Sequence, residues 1–435
     1  MNAAAGSIII LAAIAGFIYF YRSSWLLNPA ALFTLSWIGG MGVSHMKLSF
    51  LQGKWEPMTW YCVLGAWVCF LLSYLLLRRK LSKKPEKSEA GMEETRTGNV
   101  MNSPEKNKSG AALFVFILTG VSWGAFFAEA VLLGYIPLFT VETPHAYSYF
   151  HISGLHYFTV SCVLVPAAAV IYYSQLQTPA GKTGPVAVCT ALSVLLPILM
   201  VSRFQLIFAA AIAMFTWAAL NRQNLSRYLR PRLAAYFGIG IALLVCLYVF
   251  LTFERAHSIS YLNGIFEMRD PDTPIWITQP YMYIANNYDN LNCLIRDLPE
   301  HTHGLRMLFP LFALTGLKFL HPEWTSFPIY VTKEELTTVT LIYDAYYDFG
   351  LAGVLVFSLV LGAAAALLEQ LVFRYGRDCP FLCLAYGQFA FYLLFSFFTT
   401  WYSNPATWFY YGITLLAGIA VMLGSRRKKQ SSHRY

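Results

Sequence analysis

Hydrophobic runs of roughly 17–24 residues follow one another along this chain, each long enough to cross ~30 Å of hydrocarbon as a helix. They cover residues 3–21, 27–44, 58–77, 111–133, 153–174, 185–201, 205–220, 233–253, 351–373, 380–398 and 407–424. The pattern predicts an all-α, polytopic helical membrane protein with about 11 transmembrane helices (10–12). The first run lacks a basic leader and a small-residue cleavage site, so it reads as a retained helix. A further apolar stretch, Leu305–Leu320, is broken by Pro310, Gly316 and Lys318. It is short for a span, and a true crossing there would invert every later segment. It therefore reads as a re-entrant or interfacial helix.

Composition agrees with this. Hydrophobic residues make up 57% of the 435 and charged residues 12%, about half the charged share of an ordinary soluble domain. The net charge of +9 comes mostly from two basic stretches beside apolar runs, Arg78–Lys108 and Arg426–Lys429. That is the positive-inside distribution, and it excludes a nucleic-acid partner as the reason for the charge. With the C-terminal tail placed in the cytoplasm, the inner connectors hold 22 of the 31 Lys and Arg residues. The N-terminus then faces outward.

This orientation divides the chain into N-terminal transmembrane helices (1–77), a basic cytoplasmic linker (78–110) and central transmembrane helices (111–253). A large partly helical outer loop (254–350), C-terminal transmembrane helices (351–424) and a basic cytoplasmic tail (425–435) complete it. Residues 81–110 are rich in Lys, Glu, Ser and Asn, and they read as disordered. The eight cysteines show neither a disulfide framework nor metal-ligand spacing. No internal repeat marks a transporter with inverted halves.

The outer loop is the only long polar segment assigned outside the membrane, and candidate chemistry collects there. Between Glu254 and Gly350 lie twelve acidic residues against six basic ones, with His257, His301, His303 and His321. Carboxylates accept hydrogen bonds from sugar hydroxyls and flat rings cover the apolar faces of pyranoses. The competing reading is that acidic residues are tolerated outside and aromatics anchor helix ends. Three arginines stand near the expected outer surface. Arg203 occupies the tight turn Ser202–Arg203–Phe204, Arg255 opens the loop, and Arg306 opens the broken apolar stretch. Planar guanidinium forks suit a diphosphate, while local pairing with nearby carboxylates is the alternative for Arg255 and Arg306. In the segment 301–304, His303 is the first choice for a base acting near neutral pH.

Asp344 and Asp348 lie four apart on one helical face, with Tyr347 beside them. They could hold a sugar or an arginine, or close the end of the helix bundle. The stretch 286–292, Asn-Asn-Tyr-Asp-Asn-Leu-Asn, is a second dense polar patch and includes Asn287 and Asp289.

Three of these places carry a resemblance. The Ser202–Arg203 turn, the stretch from Tyr283 to Leu291, and the entry Tyr346-Tyr-Asp-Phe-Gly-Leu-Ala-Gly353 are similar to features of the O-antigen polymerase (Wzy-type oligosaccharide repeat unit polymerase) family. The spacing from Arg306 to Gly316 is one residue shorter than the arginine–glycine spacing described for some members. The resemblance implies a GT-C-like membrane glycosyltransferase of the bacterial inner membrane, with its active loop facing the periplasm or exterior. The reaction would be inverting, and metal and other cofactors are expected to be absent. The donor would be an undecaprenyl-diphosphate-linked oligosaccharide, transferred as a block onto another lipid-linked repeat to build O-antigen, capsule or exopolysaccharide. A chain-length regulator would be a protein partner beside the lipid bilayer. On this reading Arg203, Arg255 and Arg306 bind diphosphate, His303 is the base with Asp289 or Asp348 as second choice, and Asn287, Asp344 and Tyr347 contact sugar. An O-antigen ligase of similar architecture competes, as does a flippase for lipid-linked oligosaccharide. A flippase should carry charges along its spans, where Glu129 is the main exception to a nearly uncharged set.

Overall fold

Backbone polar groups have no water to bond in hydrocarbon, so an apolar run satisfies them within its own helix. The computed structural model describes residues 2–22, 25–82, 103–140, 146–176, 183–222 and 259–432. Among them the regular structure is helical, with one isolated antiparallel bridge between Ser49 and Met268. Seven helices in the described residues are long and apolar enough to cross a membrane: Ala4–Arg22, Pro57–Ser82, Lys108–Leu133, Leu155–Ser174, Arg203–Leu220, Tyr343–Tyr375 and Pro405–Leu423. These are the elements of a multi-pass helical membrane protein. Their outer faces fit that reading. In Pro57–Ser82 the exposed Leu64, Val68, Leu72 and Leu76 recur every four residues, while Thr59, Cys62, Val63, Ala66, Phe70 and Tyr74 are buried. A long apolar stripe left exposed is what a lipid-facing helix presents.

Of the other four expected spans, the three that are described take different forms. Gly184–Leu199 and Phe381–Leu394 are apolar helices of 16 and 14 residues, only ~24 and ~21 Å long at 1.5 Å per residue. The run 27–44 is helical from Pro29 but contains a π-helical turn, Thr34–Ile38. The run 233–253 lies outside the described residues. The broken stretch 305–320 forms two short helices, Phe309–Thr315 and Leu317–Leu320, separated by the left-handed Gly316. Neither is long enough to span a bilayer. One expectation is corrected: the helix Ser103–Leu133 begins inside the linker read as disordered. Extending an established helix costs far less than nucleating one, so the apolar run carries the polar turns before it. Residues 83–102 lie outside the described residues.

The chain divides into two units. The first contains Met1–Ser82, Ser258–Glu369 and Tyr392–Trp408. In it Asn2–Arg22 crosses close to Gly39–Ser44, where a Cβ on Gly6 would lie 2.7 Å from the Gly42 carbonyl oxygen. Small residues permit this approach. Trp37, fully buried, donates through Nε1 to the Val63 carbonyl at 2.9 Å and lies between the rings of Phe33 and Tyr288. The second unit contains Lys83–His257, Gln370–Phe391 and Phe409–Tyr435. Its core packs Val165–Ser174 against Lys108–Leu133 and Arg203–Leu220. The Phe208 ring there meets Phe391 at 4.6 Å.

Candidate functional site

The entry to the helix Tyr343–Tyr375 organises the polar side of the first unit. The helix is not continuous. Gly350 sits at φ 60°, ψ −148°, a conformation open essentially to glycine alone. The chain turns there so sharply that a Cβ on Gly353 would fall on the Ala345 carbonyl oxygen and lie 2.7 Å from the Phe349 Cβ. Both glycines of the Asp-Phe-Gly-x-x-Gly entry therefore have a steric role. The break also frees carbonyls at the end of the first helical segment. The segment 301–307 takes them up. The Tyr347 carbonyl accepts from Thr302 N at 3.3 Å and from His301 Nδ1 at 3.2 Å, and the Asp348 carbonyl accepts from His303 N at 3.1 Å.

The two aspartates complete the attachment. The carboxylate of the fully buried Asp348 accepts from the Thr302 hydroxyl, from Arg306 N at 3.2 Å and from Met307 N at 2.8 Å. Asp344 pairs with Arg306 Nε at 2.6 Å, and the guanidinium lies 4.5 Å from the centre of the Tyr347 ring. Local pairing, the alternative reading for Arg306, is thus what the geometry contains. Two carboxylates and one guanidinium make the cluster net negative. Its hydrogen-bonding edges suit hydroxyl groups better than a bare diphosphate. His303 stands at φ 52° at the head of this segment, exposed, with its ring 6.4 Å from Phe349. The structure therefore brings together His303, Arg306, Asp344, Tyr347 and Asp348.

The patch 286–292 lies on the helix Ile275–Asp297 and is buried. Asn287 donates to the Tyr283 and Phe397 carbonyls at 2.6 and 2.7 Å and accepts from Thr338 Oγ1 at 2.6 Å. Asn290 donates to the Leu336 and Thr338 carbonyls and accepts from Thr332 N. These amides hold the irregular segment 332–338 onto the helix, so Asn287 is spent inside the fold and has no donor left for a sugar. Asp289 is buried too. It accepts from Ser44 Oγ at 2.9 Å, Lys47 Nζ at 3.0 Å and Trp55 Nε1 at 3.1 Å. Burial raises its carboxyl above the ordinary range, with Lys47 and the other donors opposing. A carboxylate so enclosed reaches no acceptor hydroxyl, which removes it from the choice of base.

Arg203 belongs to the second unit, where it is 6% exposed and begins the helix Arg203–Leu220. Arg255 and His257 lie outside the described residues. His321 pairs with Glu323 at 3.0 Å and stacks on Trp324. Among the described residues, no three His, Cys, Asp or Glu side chains gather to hold a metal ion.

Two buried carboxylates have partners that the sequence did not show. In the second unit Glu129 accepts from Ile152 N, Thr159 Oγ1 and His156 Nδ1, the last at 3.1 Å. Glu129 stood out as a charge within a span, but nothing in the spacing named its partners 23–30 residues later. In the first unit Glu369, fully buried, accepts from Trp25 Nε1 at 2.8 Å and Tyr74 Oη at 2.9 Å and pairs with Arg78 at 3.1 Å. An acidic residue placed among apolar ones near a helix end was its only signal. Compared with known proteins, the chain matches no family model, no curated protein sequence and no solved structure.

Proposed function

We propose that this protein is a membrane glycosyltransferase that polymerises undecaprenyl-diphosphate-linked oligosaccharide repeat units into a surface polysaccharide. The fold would be GT-C-like with about eleven crossings, and the cluster around Gly350 would face outward from a bacterial inner membrane. The observation that carries the reading is the fastened segment 301–307. It holds an exposed imidazole, His303, beside a guanidinium seated on an aromatic ring and braced by Asp344. The resemblance of the Asp-Phe-Gly-x-x-Gly entry to Wzy-type polymerases supports the same reading.

In the reaction an acceptor hydroxyl attacks the anomeric carbon of the donor sugar. The new carbon–oxygen bond forms as the bond to the lipid diphosphate breaks, and the diphosphate leaves with the bonding electron pair. His303 takes the hydroxyl proton, which a neutral imidazole does efficiently near neutral pH. Arg306 holds the saccharide through guanidinium N–H groups that donate to its hydroxyls, while the buried Asp344 and Tyr347, expected from the sequence to contact sugar, instead fix that guanidinium in place. Asp348 positions the segment that carries His303 and Arg306. Arg203 and Arg255 enter from the sequence alone as donors to the diphosphate, whose growing charge preformed cations stabilise.

The buried carboxylates Glu129 and Glu369 favour a second reading, a lipid-linked oligosaccharide transporter, since ionisable groups inside spans mark transport paths. Both are enclosed by donors, however, which fits structural pairing better. The deciding experiment replaces His303, Arg306, Arg203 and Arg255 singly by alanine, checks membrane expression, and sizes the cell's surface polysaccharide on a gel. A polymerase predicts loss of the long ladder with single repeats still attached to their acceptor. Loss of every attached repeat would favour a ligase or transporter, and an unchanged ladder from all four well-expressed variants would overturn the assignment.

A further inference from the structure

A cleft of about 460 Å³ opens in the first unit, lined by Lys54, Trp55, Glu56, Pro57, Trp60 and Tyr61. Its volume falls within the ~300–1,000 Å³ of small-molecule sites. None of these residues was a candidate from the sequence. The helix Ile275–Asp297 lies behind this lining and fastens it. Asn292 Oδ1 accepts from Glu56 N and from Thr59 Oγ1, each at 2.7 Å, and Asp289 accepts from Trp55 Nε1. The Trp55 ring is buried, stacked on Tyr288 and met edge-on by His45 at 4.3 Å. His45 also packs on Trp60 at 4.6 Å, and its Nδ1 donates to the Met41 carbonyl. Trp60 is therefore held in one orientation before any ligand arrives, which lowers the ordering cost of binding.

The chemistry of the lining is specific. Tyr61 is 63% exposed, and Lys54 and Glu56 are exposed beside it. One ammonium and one carboxylate leave the cleft without net charge, so it selects neither an anion nor a cation. It offers aromatic faces, up to three N–H donors and two acceptor oxygens. A neutral ring with one apolar face and a rim of hydroxyls, which both donate and accept, matches this set.

We propose that this cleft is a carbohydrate subsite, taking a neutral pyranose against Trp60 and Tyr61 with Glu56 accepting from its hydroxyls and Lys54 donating to them. The substrate class rests on the glycosyltransferase reading, while the site stands on its own geometry. The buried Asn/Asp patch thus serves sugar recognition indirectly: it positions the cleft and touches no sugar itself.

The test uses the full chain in nanodiscs and, as probe, the oligosaccharide repeat cut from the source cell's own surface polysaccharide. Binding is followed by saturation-transfer NMR and by tryptophan fluorescence for wild type, Trp60→Ala, Tyr61→Ala and Glu56→Gln. Wild type should bind saturably, and each aromatic variant should weaken binding about tenfold, as removal of a principal aromatic anchor does. Glu56→Gln, a change at an exposed side chain that leaves the rings in place, should weaken it several-fold and keeps the test sound if an aromatic variant misfolds. Absence of binding, or binding unchanged in the folded variants, would overturn the proposal. So would reduced membrane retention of Trp60→Ala with binding intact, which would mark the rings as interfacial anchors. The ladder assay separates the two readings. Binding lost in the cleft variants while the His303 and arginine variants leave the ladder unchanged would keep the subsite and overturn the polymerase. A ladder abolished by those variants, with binding unaffected by the cleft variants, would do the reverse.

Discussion

Asp289 shows how one buried carboxylate organises its surroundings. Three donors from Ser44, Lys47 and Trp55 converge on it, yet burial outweighs them and raises its pKa. The folded chain therefore holds this proton more tightly than the unfolded chain does, where Asp titrates near ~3.9. Its contribution to stability is complete below that value and is lost as pH rises through the higher folded value. Thermal unfolding in detergent should show stability declining over that window in wild type, with the decline flattened in Asp289→Asn. A decline of equal slope in the variant would assign it to another group. Asn287 and Asn292 teach a related lesson. An amide-rich stretch looks the same in a sequence whether it bonds a ligand or its own backbone, and here both residues bond backbone.

At the scale of an element, the helix entry at Gly350 carries most weight. Its φ of 60° is one that alanine adopts only under strain, and a Cβ would come 3.1 Å from His301 Nε2. Gly350→Ala should cost about 1–3 kcal/mol, the usual range for such backbone strain. It should also loosen the segment 301–307, because the carbonyls that anchor it would move. Limited proteolysis and thermal unfolding together would check this; unchanged cleavage within 301–307 would show that the break does not hold that segment. The two carboxylates on one face, Asp344 and Asp348, were legible from their spacing, and so was the option that one of them holds an arginine. Thr302 was not, since its bond to Asp348 crosses 46 residues and depends on the turn made by two glycines.

Across the first unit, the Glu369 network joins segments far apart in the chain. Arg78, Tyr74 and Trp25 all reach one buried carboxylate. Removing one partner of a buried ion pair leaves the other charge uncompensated, at a cost of about 3–5 kcal/mol, whereas neutralising the buried partner costs less. Arg78→Ala should therefore lower the unfolding temperature and membrane yield more than Glu369→Gln. The opposite order would show that the arginine's charge is not what the carboxylate needs.

The sequence by itself determined that this is a helical membrane protein, because a run of apolar residues long enough to cross hydrocarbon has one stable backbone solution, whatever surrounds it. It also marked His303, Arg306, Asp344, Tyr347 and Asp348 as candidates, alongside Arg203, Arg255, Asn287 and Asp289, because polar groups crowd into few segments of so apolar a chain. Tertiary structure alone decided which of those groups face one another. It paired Arg306 with Asp344, buried Asn287 and Asp289, and fastened the segment that lines the cleft of Trp60 and Tyr61 to the helix that carries Asn292. Such pairings depend on distances between segments tens to hundreds of residues apart, and local pattern carries no information about which distant donor fills a given acceptor.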